Sequence, residues 1–543
     1  MVERFLEANG LRMEALDVYL TIQDAEGRIL AGAGLSRDII KCVAVAQEAR
    51  SEGLMGPLVS ALVALAARQG IHQLKVFTKP EYQSIFESLG FHLLAQAPLA
   101  ILLENGRGLE QYCAGLRCLV GQSEGSRIGV IIMNANPFTR GHQYLLEKAA
   151  DQVDKLFVIP VKEDASAFLY SERKAMMEAG AGSSVVVEGS DYQISAATFP
   201  TYFLKDLSDA SETQMRLDLD LFARYIAPAL GVTVRFVGSE PQDPLTAKYN
   251  ALMKEMLPPR GIQVVEIPRL ESISASAVRS ALEAGDFASA AALVPVTSQP
   301  FLLAFLAERS LRLELDTPMK PGLVGPDGPG AHKDMDYGTM QRGIASLRPF
   351  WSRMALASSA DELRQAGIDA ENAMLAATGG VNTHRGAIFA LGLAVNAAAR
   401  RMESIDFKSF MQNTLPEIAQ GVLFNSLIDS KLHSTVIGAR RIALTGYRDL
   451  FEDWLPFYRK IRHENTAKQA LLLRILSTLD DTCVIKRVGK DRAELVKQEA
   501  KAVLEDYTEE KLKSLCDRYA AEGISPGGAA DMLALTIFTD SIL

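Results

Sequence analysis

The stretch 127-RIGVIIMNANPFTRGHQYLLEKAA-150 changes character twice. Ile128 to Met133 is short, apolar and β-branched, the pattern of a strand buried on both faces of a parallel sheet. It stops at Asn134, Asn136 and Pro137, residues that favour a tight loop. Leu145, Leu146 and Ala149 then recur at helical spacing, so Gly141 and His142 stand where a helix opens. A strand, tight loop and helix place the loop at the carboxyl end of the strand and at the helix N-terminus. There free backbone N–H groups and the helix dipole favour phosphate. The loop is therefore a candidate nucleotide site.

The same alternation continues on the C-terminal side through KLFVIPV (155–161), SSVVVEG (183–189), VTVRFVG (232–238) and IQVVEIP (262–268), with helical patterns between. This predicts a five-stranded, mainly parallel, doubly wound sheet. After Thr297 strand signals disappear, and Ala-rich and Leu-rich segments such as AIFALGLAVNAAARRM and QALLLRILSTL repeat at helical spacing. An all-α domain is expected there, joined through the short junction VPVTSQPF (294–301). On the N-terminal side, strand-like runs at Asp17–Gln23 and Leu74–Thr78 flank the apolar helix Met55–Ala67, a small α/β unit. The expected division is 1–122, 123–297 and 298–543, a multidomain chain with two α/β parts and one all-α part.

Composition sets the outer bounds. The formal charge of -9 argues against a nucleic-acid or anionic-membrane surface. The N-terminus MVERFLEANG is charged, and apolar runs such as Ala387–Val395 fall short of the roughly 18 residues of a membrane span, so a cytoplasmic protein is expected. The cysteines Cys42, Cys113, Cys118, Cys483 and Cys516 lack C-x-x-C spacing, which indicates neither a disulfide framework nor a zinc site.

After the last predicted strand comes 271-ESISASAVRSAL-282, where hydroxyls and Arg279 at a helix start suit triphosphate oxygens. Paired with TRGH (139–142), it resembles the nucleotidyltransferase superfamily with its H-x-G-H and I-S-S-T-x-x-R motifs. Thr139 replaces the first histidine of the pattern, leaving His142 as the sole imidazole. With that departure, NANPFTRGHQYLLEKA, GSDYQISAATFPTYFLK (189–205) and GSEPQDPLTAKYNALM (238–253) closely resemble the [citrate (pro-3S)-lyase] ligase family over about residues 1–300. The resemblance implies activation of acetate by ATP as acetyl-adenylate, then acetyl transfer to the prosthetic-group thiol of the citrate lyase acyl carrier protein. On it, His142 and Arg279 are expected to be catalytic, and Asn134, Asn136, Phe138, Thr139, Gly141, Ser274 and Ser276 to bind ATP. Such chemistry needs alignment and charge neutralisation at the α-phosphate, which His142, the helix N-terminus, Arg279 and Mg²⁺ can supply. Taken alone, His142 also reads as a helix-start histidine, and Ser274 and Ser276 as N-caps.

The N-terminal unit, with QEARSEGLMG (47–56) and FESLGF (86–91), resembles acetyltransferases of the GNAT fold. Arg50 and Gly53 match the pyrophosphate loop of that fold, but Met55 stands where Gly or Ala is usual and crowds the phosphate path. A structural or carrier-docking module is the expectation there, rather than a working acetyl-CoA site.

In the all-α part, 317-TPMKPGLVGPDGPGAHKDMD-336 spends twenty residues on four prolines, several glycines and then His332, Lys333, Asp334 and Asp336. Lys320 and Lys333 suit phosphates, while Asp334 and Asp336 suit Mg²⁺. GGVNTHRGAIFALG (379–392) puts Asn382, His384 and Arg385 at a helix opening, and LDDT (479–482) adds Asp480 and Asp481. For that acidic pair a solvated helix terminus is an equal alternative. Together with SPGGAADMLALTIF (525–538), these stretches resemble triphosphoribosyl-dephospho-CoA synthase over about residues 300–543. The resemblance implies attack by the ribose hydroxyl of 3′-dephospho-CoA on C1 of the ATP ribose, with adenine leaving and the triphosphate kept. It assigns catalysis to His332 and Asp334, ATP binding to Lys320, Lys333, Asn382, His384 and Arg385, and metal to Asp334, Asp336, Asp480 and Asp481. Gly325 stands where that family usually has an acid, with Asp327 close behind.

Two other readings compete. One is a small-metabolite adenylyltransferase fused to a prosthetic-group synthase for malonate decarboxylase. The other is a non-catalytic nucleotide-binding protein, motivated by Met55, Thr139 and Gly325.

Overall fold

A computed structural model of the chain describes residues 1–120, 126–162, 166–195, 198–204, 206–239, 243–270, 273–400, 416, 419 and 439–543. The expected boundary at 122–123 lies outside them, as do positions 196, 197, 205, 240–242, 271, 272, 401 and 402 of the motifs quoted above. The described chain divides into two compact units: Met1–Ala135 with Gly141–Ser166 and Ala181–Glu271, and Asn136–Arg140 with Ala167–Gly180 and Ser272–Leu543.

The first unit carries two sheets. One has six strands, β1 (Val18–Gln23), β2 (Ile29–Ser36), β3 (Ile39–Val45), β4 (Leu74–Thr78), β5 (His92–Gln96) and β6 (Ile101–Asn105), in the order β1-β2-β3-β4-β6-β5. Its one parallel pairing joins β3 to β4. Of these strands the sequence reading located β1 and β4; β2, with ILAGAGLS, is too rich in Ala and Gly to carry a strand signal. The helix Met55–Arg68 buries Leu58, Val59, Leu62 and Ala66 in an apolar cluster with Val76, Ile101 and Leu103 of the sheet.

The second sheet is wholly parallel and has the five strands expected: β7 (Ile128–Met133), β8 (Lys155–Pro160), β9 (Val185–Val186), β10 (Val234–Gly238) and β11 (Gln263–Ile267). The order β11-β10-β7-β8-β9 makes the chain run outward from β7 on one side, then return to fill the other. The loop after β7 is thus at the point where strand order reverses, the usual ligand crevice of an open parallel sheet. A second apolar cluster includes Phe77 and Leu102 of the first sheet together with Val130, Phe157 and Ile159 of the second, so one core supports both.

In the second unit the described residues after Thr297 are helical apart from turns, loops and an isolated bridge between Gly325 and Gly328. The helices Gln299–Leu315, Tyr337–Leu356, Arg385–Arg400, Ala467–Thr478 and Gly527–Ile542 bury broad apolar faces. The last buries eleven side chains, from Ala529 to Ile542, which identifies it as a central helix of the unit.

Candidate active sites

The loop after β7 is held in each unit by its own contacts. In the first unit Ser166 Oγ donates to Asn134 Oδ1 at 3.4 Å. His142, on the helix Arg140–Ala150, is partly exposed, but crowding of its ring and then the Arg269 charge draw its pKa down to about 4. It is a neutral imidazole at physiological pH, able to donate or accept but bringing no charge. Arg269, just past β11, was not foreseen from sequence; nothing in its local pattern separates it from a surface arginine.

In the second unit Asn136, followed by a cis bond to Pro137, accepts at Oδ1 from the Phe168 N–H at 3.0 Å. Its carbonyl accepts from Arg279 Nη1, so the two motifs expected to serve one nucleotide meet here. Phe138 and Thr139 are buried, and a side chain at Gly180 would collide with the Phe138 ring. Arg140 is tied at its backbone N–H to Leu293 O at 3.0 Å and through Nε to Val294 O at 3.2 Å. Ser274 caps the helix Ala275–Ala284 by accepting from Ala277 N–H at 3.0 Å, with Ser276 Oγ 3.0 Å from its own hydroxyl. The N-cap reading of Ser274 is therefore its observed local role.

The glycine-proline loop of the second unit is rigid for steric reasons. Gly322 and Gly330 have positive φ, and a Cβ at either would strike the backbone of Ile524 or of Gly322 and Leu323. Asp327 accepts from the Met319 N–H at 2.5 Å, so it braces the loop. His332 Nε2 lies 2.7 Å from Ser525 Oγ and its Nδ1 is 3.6 Å from Asp334, while burial and Arg487 hold its pKa below the ordinary value. Lys333, Asp334 and Asp336 are exposed, and Asp336 caps the helix Tyr337–Leu356 through Thr339 N–H at 2.8 Å.

Lys320 is placed differently from the expectation of a phosphate-facing cation. Its side chain is 1% exposed, pairs with the Glu314 carboxylate, and donates to Glu314 O at 2.7 Å. Asn382 accepts from Arg385 N–H at 3.1 Å, and Arg385 pairs with Glu371. His384 is buried with Nδ1 2.8 Å from Thr383 Oγ1, and burial followed by the Lys320 charge lowers its pKa to about 3.

Asp480 and Asp481 diverge. Asp480 turns out to Lys497 at 2.5 Å. Asp481 is buried and accepts from Cys483 N–H at 2.7 Å and Ala529 N–H at 2.9 Å, capping two helices at once. The described residues hold no group of three or more His, Cys, Asp or Glu placed to bind a metal, so the four carboxylates assigned to Mg²⁺ are not gathered into one site. Two acids that the sequence reading passed over, Glu314 and Asp531, lie in the charge environment of Lys320 and Asp481. Each stands inside a Leu- and Ala-rich helix, where an acid reads as solvated.

The chain thus joins an open parallel α/β sheet, with a polar loop where its strand order reverses, to a helical unit with a polar, glycine-braced centre. Residues 128–302 match the family pattern described as citrate lyase ligase C-terminal domain, and residues 300–426 and 429–543 that of ATP:dephospho-CoA triphosphoribosyl transferase. A [citrate [pro-3S]-lyase] ligase of Haemophilus influenzae is 41% identical over 318 residues, covering 56% of this chain and 94% of that one. A probable 2-(5''-triphosphoribosyl)-3'-dephosphocoenzyme-A synthase of Stutzerimonas stutzeri is 35% identical over 266 residues, covering 44% and 91%. Among solved structures, a putative triphosphoribosyl-dephospho-CoA synthase of Archaeoglobus fulgidus aligns over 37% of this chain and 97% of its own, with 20% identity and a TM-score of 0.29. The chain belongs to the citrate lyase ligase family in its N-terminal part and to the triphosphoribosyl-dephospho-CoA synthase family in its C-terminal part.

Proposed function

We propose that the chain is a bifunctional enzyme of citrate lyase maturation, and the observation that carries this is the abutment of the two family stretches, 128–302 and 300–543, in one polypeptide. One activity uses ATP to activate acetate as acetyl-adenylate, releasing pyrophosphate, and passes the acetyl group to the prosthetic-group thiol of the citrate lyase acyl carrier protein. The other joins 3′-dephospho-CoA to the triphosphoribosyl part of ATP and frees adenine. The first acts on the finished prosthetic group and the second makes its precursor, which gives the fusion a chemical logic. The malonate decarboxylase alternative is not favoured, because the N-terminal relatives are citrate lyase ligases.

For acetate activation we assign His142 and Arg279 to the reacting phosphates by their place in the TRGH and ISASAVR motifs. His142, neutral, donates a hydrogen bond, and Arg279 supplies the charge. Asn134, Asn136, Phe138, Thr139 and Gly141 shape the loop, and Ser274 and Ser276 open the helix that carries Arg279. For adenine release we keep His332, Lys333 and Asp334 as ligand-facing residues, and read Lys320, Asn382 and Arg385 as positioning residues because each is engaged with a neighbour. Mg²⁺ arrives with ATP in this reading, and no step is routed through it.

Functionally the chain has three parts, 1–122, 123–297 and 298–543. The strand order of the first sheet, with its β3–β4 parallel pair, supports a GNAT-like module at the front. The helix there starts at Met55, whose side chain stands where that fold usually has Gly or Ala, and on that departure the module is read as a carrier-docking one rather than an acetyl-CoA site. No described helix is long and apolar enough to cross a membrane. Incubation of the purified chain with ATP and 3′-dephospho-CoA should yield free adenine. ATP, acetate and the thiol form of the carrier should yield pyrophosphate and acetylated carrier. Absence of adenine in the first incubation excludes the transferase activity, and absence of acetate-dependent pyrophosphate in the second excludes the ligase.

A further inference from the structure

Four motifs far apart in sequence supply polar side chains to the interior of the second unit: Glu314 and Lys320, His384, Asp481, and Asp531. Asp531, on the helix Gly527–Ile542, is fully enclosed and accepts a hydrogen bond from the Ala387 N–H in the first turn of the helix Arg385–Arg400. Any side chain at Gly386 would overlap the Asp531 carboxylate, so the glycine is what lets the carboxylate reach that helix.

The three acids are not equivalent. Asp481 is taken up by the N–H groups of Cys483, Val484, Gly528 and Ala529, and Glu314 by the Lys320 ammonium. Among the described residues Asp531 has one N–H donor, that of Ala387, with Asp481 and Glu314 as like-charged neighbours and the thiol of Cys483 and hydroxyl of Tyr447 within reach of its charge. Burial first, and then those two acids, raise its proton affinity well above that of an ordinary carboxyl. Two further polar atoms in this interior have no hydrogen-bond partner among the described residues. They are the Tyr447 hydroxyl, in the field of Asp531, and His384 Nε2, in the field of Lys320. Both side chains are more than nine-tenths buried, and buried polar atoms ordinarily have partners. An unmet hydroxyl in the field of the Asp531 carboxylate, and an unmet ring nitrogen two residues before the glycine that the same carboxylate abuts, suit a ligand that carries hydroxyl groups.

We propose that Asp531 is a catalytic carboxylate of the transferase, taking the proton of the attacking ribose hydroxyl, with the Tyr447 hydroxyl and His384 Nε2 binding the ribose on which it acts. The inference rests on the triphosphoribosyl-transfer reading above. The hydroxyl oxygen forms a bond to C1 of the ATP ribose as the glycosidic bond to adenine breaks. Adenine leaves with that electron pair and takes a proton from water, while the hydroxyl proton passes to Asp531, which must stand as the carboxylate when the hydroxyl attacks, and then to solvent. The isosteric Asp531→Asn keeps the acceptor for Ala387 but cannot take a proton.

The test measures adenine release from ATP and 3′-dephospho-CoA by the full chain. The wild type must first show the activity; if it does not, the transferase reading itself fails. Given an active wild type, Asp531→Asn should lose about 100-fold or more in kcat, with KM for either substrate within about threefold, as loss of a general base predicts. Retention of more than about a tenth of kcat overturns the proposal. Tyr447→Phe deletes an atom with no hydrogen-bond partner among the described residues, so it keeps the fold even if Asp531→Asn does not. It should raise KM by about tenfold, the loss of one neutral hydrogen bond. Unchanged KM and kcat in Tyr447→Phe overturn the proposed ribose contact.

Discussion

The carboxylate of Asp531 occupies the volume that a side chain at Gly386 would need. Two motifs separated by more than a hundred residues are therefore fitted to each other at the scale of one methyl group. Gly386→Ala must displace either the carboxylate or the first turn of the Arg385–Arg400 helix, and overpacking of this kind costs about 1–3 kcal/mol. Adenine release should fall steeply while the unit stays helical. Full adenine release by a Gly386→Ala chain with an unchanged melting temperature would show that the contact is not needed.

His142→Ala should reduce acetate-dependent pyrophosphate formation about 100- to 1,000-fold, the usual effect of deleting one donor to developing charge. Adenine release should be untouched, because no motif assigned to it includes His142. With a pKa near 4, His142 is neutral from pH 6 to 8, so acetate activation should show no limb near 6.5 from this residue. A titration near 6.5 that vanishes in His142→Ala would contradict the crowded, neutral ring.

The parallel sheet was legible because its strands are short, β-branched and regularly spaced, and the loop after β7 announced itself by Asn134, Asn136 and Pro137. Four of the six strands of the first sheet were not; β2, for instance, is built from Ala and Gly, and β3 alternates buried with half-buried positions that are nearly all apolar, so no polar alternation marks it. The interior of the helical unit was legible by motif and not by role. Lys320 reads as a free cation until Glu314, six residues earlier on the preceding helix, is seen to pair with it. Asp481 reads as half of an acidic pair until the N–H of Ala529, from a helix 48 residues away, is found on its carboxylate. Polar roles set by tertiary partners have no local periodicity to betray them.

Lys320→Met should leave Glu314 buried and uncompensated. Breaking such a pair from one side costs roughly 3–5 kcal/mol. Burial raises the Glu314 pKa even with Lys320 in place, so without the ammonium the carboxyl should protonate more readily still. The stability deficit, read by urea denaturation, should shrink on going from pH 8 to pH 5. The double variant Lys320→Met with Glu314→Gln should recover part of it. An equal deficit at the two pH values would mean that Glu314 is not the group left unpaired.

Glu172 offers a test with a defined sign. It lies in the buried face of the helix Tyr170–Gly180, is 6% exposed, and accepts from the Leu169 N–H at 2.9 Å. Burial, with Glu308 adding and Leu169 and Arg348 opposing, raises its pKa from 4.5 to about 7. The folded value lies above the unfolded one, so the folded chain holds this proton more tightly, and stability is lost as pH rises from 4.5 through about 7. Glu172→Gln keeps an oxygen for Leu169 N–H and removes the titration. Its advantage over the wild type should be small at pH 5 and approach roughly 3 kcal/mol at pH 8, the linkage value of the shift. Thermal melts of the two chains at pH 5 and pH 8 measure this directly. A variant that gains nothing at pH 8 over pH 5 would show that Glu172 ionises in place, with Arg348 outweighing burial.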